Sequence, residues 1–144
     1  MHRPRAYLVL GILVALLVTD VATVLAADRR GRMLRSVNRV RVRHDEPRLH
    51  LNPNLSQDAR RHSRRMARRG AIYHTGDLLS LVRRFRATSW GENVAMAGTI
   101  RRVRRLWMGS PSHRSNMLRH SYRRAGIGLV RMHGRLWVTV MFYG

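Results

Sequence analysis

W-M-G-S-P-S-H-R-S-N-M-L, residues Trp107 to Leu118, contains a helix end and a helix start within a few positions of each other. Upstream of it, Thr99 can cap a helix whose inner positions are Ile100, Val103, Leu106 and Trp107. Ser110-Pro111 then reads as an N-cap followed by proline at the first helical position, so another short helix starts at once and runs to about Leu118. At an N-cap the Ser110 hydroxyl is expected to be occupied by backbone N–H groups. The corner sets His113 beside the C-terminal Trp107 of the preceding helix.

Downstream, Ile127 and Leu129 begin an alternation that reaches Met132, and His133-Gly134 is a turn. The β-branched and aromatic run Leu136 to Phe142 completes a β-hairpin. Upstream, Asn54 is a candidate N-cap for a helix with Leu55, Ala59, His62 and Met66 as its buried stripe and Gly70 as its stop. An earlier helix starts at Met33, with Leu34, Val37 and Val40 on one face, and ends at Asp45-Glu46-Pro47. Residues 71–98 mix short apolar runs with Gly, Ser and Thr and read as loop, with a short helix at Leu78 to Phe85.

The chain has 144 residues, enough for one domain with its own core. It has no cysteine, which excludes zinc–thiolate sites and cysteine nucleophiles and leaves stability to the core. All 29 basic residues of the Lys/Arg class are arginine, against seven acids, for a formal charge of +22. Codon usage in a GC-rich genome accounts for the choice of arginine as well as function does, so the charge carries the inference. It predicts attraction to anionic envelope polymers or lipid headgroups. The bland reading of the arginines at 60, 61, 64, 65, 68 and 69 is a solvated outer helix face.

Met1 to Arg5 is basic, Ala6 to Val18 is an uninterrupted apolar run, and Val24-Leu25-Ala26 has the small-residue ending of a signal peptide. An uncleaved anchor over Ala6 to Ala27 is the rival, although Asp20 inside it costs about 3 kcal/mol on insertion scales. The expected organisation is a leader or anchor at 1–26, a polar linker at 27–32 and a domain at 33–144. Either reading of the leader places the domain outside the cytoplasm, secreted or held at the envelope. Membrane contact would then come only through an uncleaved leader or surface charge.

Between residue 78 and the end of the chain, thirteen arginines accompany a single carboxylate, Glu92. His74 follows the second helix in a loop, Glu92 lies in Gly-Glu-Asn, and His113 lies in Ser-Pro-Ser-His-Arg. A lone loop histidine is usually solvated or hydrogen-bonded. In this order, however, the residues resemble the CAP superfamily, the cysteine-rich secretory, antigen and pathogenesis-related proteins, in its short bacterial SCP-like form. The resemblance covers about residues 33–144. It is carried by Asn38 to Arg41, Leu55-Ser56 to Ala67, Tyr73-His74-Thr75, Gly91-Glu92-Asn93-Val94-Ala95, Trp107 to Leu118, Gly126-Ile127-Gly128 and Val138 to Phe142.

The resemblance implies an α+β fold, an α-β-α sandwich with a small antiparallel sheet flanked by helices, and a cleft. The cleft would be lined by His74, Glu92, His113, Ser110 and Asn93, with Ser110 where the larger family has its second acid. It also implies that His74 and His113 can hold zinc or another divalent cation. Two imidazoles alone make a weak, exchangeable site. Glu92 is either a third ligand or the acceptor that fixes an imidazole tautomer, the role its arginine- and histidine-rich setting favours.

Three functions follow. The first is a binding cleft for a small or lipid-like ligand, with or without a divalent ion. The second is a metal-assisted hydrolase with Glu92 as its candidate catalytic carboxylate. The third is an electrostatic binder with an inert cleft. Nucleic acid is the least favoured partner, because export separates the chain from it and Tyr73, Trp90, Trp107 and Trp137 suit core and cleft walls better than a base-stacking row.

Overall fold

The computed structural model describes residues 28–144, so the expected leader lies outside the described residues. Within them the first helix, α1, covers residues 28–42. The stretch 28–32, expected as linker, is therefore helical, and Asp28 pairs with Arg32 one turn on. The remaining elements are β1 (His50–Leu51), α2 (Pro53–Arg69), α3 (Leu78–Arg83), β2 (Trp90–Ala97), α4 (Ile100–Met108), α5 (Pro111–Leu118), β3 (Arg124–Met132) and β4 (Arg135–Tyr143).

The strands form one sheet in the order β1-β3-β4-β2. Its three long strands are antiparallel, as expected, but the two-residue β1 runs parallel to β3 and makes the sheet mixed. Helices cover both faces. Met33, Val37 and Val40 of α1, Val103 and Trp107 of α4 and Met117 of α5 meet Ala125, Ile127, Val138, Val140 and Phe142 on one face. On the other, α2 and α3 meet Met141, Tyr143, Val94 and Trp137.

Local chemistry explains most element ends. The α2 cap is Asn52, two residues before the expected Asn54: its side chain accepts from the Leu55 N–H, and Pro53 takes the first helical position, where no N–H is needed. Gly70, at φ 66°, stops the helix as expected. The β3–β4 turn puts His133 and Gly134 at φ 50° and 70°, the left-handed pair that a two-residue hairpin requires.

The sequence reading misses the two-residue β1 and, more consequentially, strand β2. Glycine, glutamate and asparagine at 91–93 are poor strand formers, and the segment becomes a strand because it pairs residue for residue with β4, from Trp90↔Tyr143 to Ala97↔Leu136.

On its helix-facing side β3 carries two glycines where α2 comes closest. A Cβ on Gly128 would lie 2.2 Å from the Ala59 carbonyl carbon, and one on Gly126 would lie 2.4 Å from the Leu55 side chain. Serines on α2 use the proximity: Ser56 Oγ accepts from the Ile127 N–H at 3.0 Å, and Ser63 Oγ donates to Gly128 O or Thr139 Oγ1. Across the sheet, the fully buried Arg41 donates to the carbonyls of Pro47, Met117, Arg119 and Tyr122 at 2.7–3.2 Å. Burial lowers its pKa from the usual guanidinium value, and the Glu46 carboxylate opposes that shift.

A Gly128→Ala change must push the α2 backbone off the sheet and is expected to cost about 3 kcal/mol in a denaturation experiment. Gly76→Ala, where nothing lies within 4 Å of the added carbon, should cost almost nothing.

Candidate functional site

A cleft of about 520 Å³ opens along the outer strand, β2. One wall is the loop that follows α2 and carries Ile72, Tyr73 and His74; the other is the α4–α5 corner with Leu106, Trp107, Ser110 and His113. Val94 and Met96 of β2 line its floor. Leu106, expected to be an inner position of its helix, is 41% exposed and faces this space.

The Gly-Glu-Asn segment builds both walls, because successive side chains of a strand point to opposite faces. Glu92 turns toward the His74 loop. One carboxylate oxygen accepts from His74 Nδ1 at 2.8 Å and from the Thr75 N–H at 2.9 Å, and the other accepts from the Thr75 hydroxyl at 2.6 Å. Asn93 turns the other way, donating to His113 O at 2.9 Å and accepting from Asn116 Nδ2 at 3.0 Å. Asn116 also reaches Glu92 O, while Trp107 Nε1 donates to Val94 O at 3.0 Å. Gly91 is small because a Cβ there would meet Tyr122 Oη at 2.4 Å and Asn116 Oδ1 at 2.6 Å.

Of the five residues expected at the cleft, His74, Ser110 and His113 line it. Glu92, 6% exposed, lies behind the His74 wall. Asn93 is fully buried with its amide committed to His113 and Asn116, so it supports the site instead of facing a ligand. The Ser110 hydroxyl also departs from expectation. It makes no capping bond to the backbone and lies 2.8 Å from His113 Nδ1, the imidazole one turn ahead being a closer partner than the helix N–H groups.

One positioning residue was given no role in the sequence reading. His62 Nε2 bonds Tyr73 O at 2.8 Å, with the rings edge to face at 5.0 Å, and this fixes the residue before His74. Its place on the buried stripe of α2 was the available signal.

The two imidazoles differ chemically. A carboxylate only accepts, so Glu92 holds His74 with its proton on Nδ1 and leaves Nε2 as the outward nitrogen. Ser110 can donate or accept, so His113 is free to present either tautomer. Burial lowers the His113 pKa below its ordinary value, and the charge of His74 adds to the shift.

The chain belongs to the cysteine-rich secretory protein (CAP) family, which it matches over residues 34–142. Among solved structures it is similar to an outer surface protein of Borrelia burgdorferi, with 16% identity and a TM-score of 0.72, over 81% of this chain and 92% of that one. It is also similar to an extracellular protein with an SCP domain from Bacillus anthracis, at 22% identity and a TM-score of 0.66, over 82% of this chain and 41% of that one. A cysteine-rich secretory protein of Staphylococcus aureus gives 20% identity and a TM-score of 0.68, over 82% of this chain and 39% of that one. No curated protein matches the chain.

The donor set does not fit a resident metal ion. Among the described residues no group of three His, Asp or Glu side chains is placed to hold one, and both Glu92 oxygens are already engaged by His74 and Thr75. Two imidazole nitrogens fall short of the three or four protein ligands of a stable zinc site.

Replacing Glu92 by Gln sets an amide against the Thr75 and His74 donors. The His74 loop should loosen, with a loss of about 2 kcal/mol and faster hydrogen exchange at the Thr75 amide. The lowered His113 pKa also has a sign: between the folded midpoint and the unfolded value near 6.5 the unfolded chain binds more protons. The His113 contribution to stability is therefore complete above about pH 6.5 and is lost as pH falls through the folded midpoint. Thermal melts from pH 7.5 to 5 should show a shallower acid loss for His113→Gln than for the wild type.

Proposed function

We propose that the chain is an exported CAP-domain protein that acts by binding, and that its cleft takes an amphipathic, lipid-like small molecule. The chemistry of the cleft walls carries this reading. Ile72, Tyr73, Val94, Met96, Leu106 and Trp107 supply apolar surface, while His74, Ser110 and His113 gather at the polar part. Ile72, at 50% exposure, and Leu106 leave apolar surface open to water at the cleft, which an apolar tail would cover. The imidazoles and the Ser110 hydroxyl would hold a polar head, His113 serving as donor or acceptor as the head requires.

Export is supported by the leader-like residues 1–26 and by the extracellular or surface descriptions of the Bacillus and Borrelia proteins. No helix among the described residues is long and apolar enough to cross a membrane.

We assign no reaction to the site. Ser110 and His113 form a pair, but the one carboxylate nearby is committed to His74, so nothing orients His113 as the base of a triad.

A fluorescent long-chain fatty acid should bind saturably at one site per chain. Leu106→Glu, which puts a charge on the apolar wall, should abolish that binding, and His74→Ala/His113→Ala should weaken it about tenfold. Binding unchanged by both variants, or no binding at all, would remove the proposal.

A further inference from the structure

Helices α1 and α4 bury one side against the sheet through Met33, Val37, Val40, Val103 and Trp107, and present arginines on the other. On α1 these are Arg29, Arg32, Arg35 and Arg39, with Arg43 just past its end, spaced three or four apart, about one for each 5.4 Å turn. Arg101 and Arg104 face them from α4. Three concavities of about 330, 300 and 410 Å³ follow one another along this surface. The first shares Arg32 and Arg101 with the second, so these two form one groove between α1 and α4; the third shares Arg35 and Arg39 with the second but is lined by Arg48 in place of α4. From residue 29 to residue 39 the α1–α4 groove extends about 15 Å at the helical rise.

Little within the chain neutralises this groove. Among the described residues, the one carboxylate paired with an arginine of α1 or α4 is Asp28, on Arg32. On the outer face of α2, half of the arginines are engaged: Arg61 is tied to Asp58, Arg65 to His62, and Arg69 lies over the Tyr73 ring at 5.2 Å, while Arg60, Arg64 and Arg68 stand on a convex helix face. Apart from Arg32, the groove arginines of α1 and α4 thus keep their donors for an external anion, in a concave row that repeats along one line. A row of like charges is self-repelling and gains most from a partner with a matching row of opposite charge.

We propose that the α1–α4 groove binds a linear phosphodiester polymer lying along α1, with one guanidinium fork to each phosphate it meets. A concave row fits a single chain better than the flat surface of a bilayer. Phosphates separated by a linking unit match a one-per-turn interval better than the directly fused phosphates of polyphosphate. The site is independent of the cleft. On α4, Leu106 and Trp107 face the cleft and Arg101 and Arg104 face the groove, so the helix is the wall between them.

Poly(glycerol phosphate), a phosphodiester chain without bases, is the probe, titrated into the full-length chain at several salt concentrations. The groove variant R35Q/R39Q/R101Q should bind at least tenfold more weakly, and its log–log salt slope should fall by about two. The control R60Q/R64Q/R68Q, with equal charge removed from α2, should stay within about twofold of wild type, as should H74A/H113A. The single variant R39E should weaken binding in the same direction as the groove triple. Equal losses in the groove and control triples would overturn the proposal in favour of diffuse charge. Tighter binding to long-chain polyphosphate, or to vesicles containing phosphatidylglycerol, than to the phosphodiester chain would overturn the choice of ligand.

Discussion

The contact between the α2 backbone and the glycines of β3 sets the distance from which the rest of the α2 layer is measured. With Ala59 lying where a Gly128 side chain would be, the helix sits low on the sheet, and Ser56 and Ser63 reach backbone groups of β3 directly. That depth brings His62 to the Tyr73 carbonyl and lets Asp58, in the second turn of α2, bind Arg84 just after α3. The loop that carries His74 is therefore held from behind by α2 and from the side by Glu92, and one wall of the cleft inherits its place from a helix–sheet approach.

The opposite layer is stapled by polar groups, in a chain with no cysteine to form a covalent link. Arg41 collects four carbonyls, Pro47 in the α1–β1 loop, Met117 at the end of α5, and Arg119 and Tyr122 between α5 and β3, and Asn38 exchanges two hydrogen bonds with Leu49. Asn93 and Asn116 then fix the α5 corner to the edge strand. Each of these side chains is buried or half-buried and bonded to groups distant in sequence, so each constrains one arrangement of loops in the way a disulfide would. Removing the buried guanidinium would leave its carbonyls unpaired, which is why the same residue contributes specificity and carries a desolvation cost.

The few carboxylates are spent locally, and this shapes the electrostatics of the whole surface. Asp58 clamps Arg61 and Arg84, Glu92 holds the His74 loop, and Glu46 meets His120. What remains on the outside is mostly arginine, with Asp45 and Asp77 also exposed. The arginine distribution separates a helix face on which half of the guanidinium groups have internal partners, on α2, from a groove whose guanidinium groups mostly do not, between α1 and α4. The largely apolar cleft and the basic groove lie on the two sides of α4, so a ligand in one leaves the other open.

Local signals were sufficient where neighbours in sequence decide the outcome. Gly70 ends α2, Thr99 caps α4, Pro111 starts α5 and His133-Gly134 turns the hairpin, each for a backbone reason that holds in any fold. The ordered histidine, glutamate and tryptophan motifs marked the family and brought His74, Ser110 and His113 to attention as one group. The strand character of 90–97 was not legible, because Gly91, Glu92 and Asn93 become a strand only through β4. The inward turn of Asn93, the Ser110–His113 bond and the support from His62 were hidden for the same reason: each depends on a partner that only the packed layers supply. The sequence by itself determined the stop of α2, the cap of α4, the start of α5, the hairpin turn, the basic charge and three of the cleft-lining side chains, His74, Ser110 and His113, since these follow from backbone geometry and residue chemistry. Only the tertiary structure decided which of those side chains face the cleft and which hold its walls, because strand alternation and layer spacing assign each one its direction.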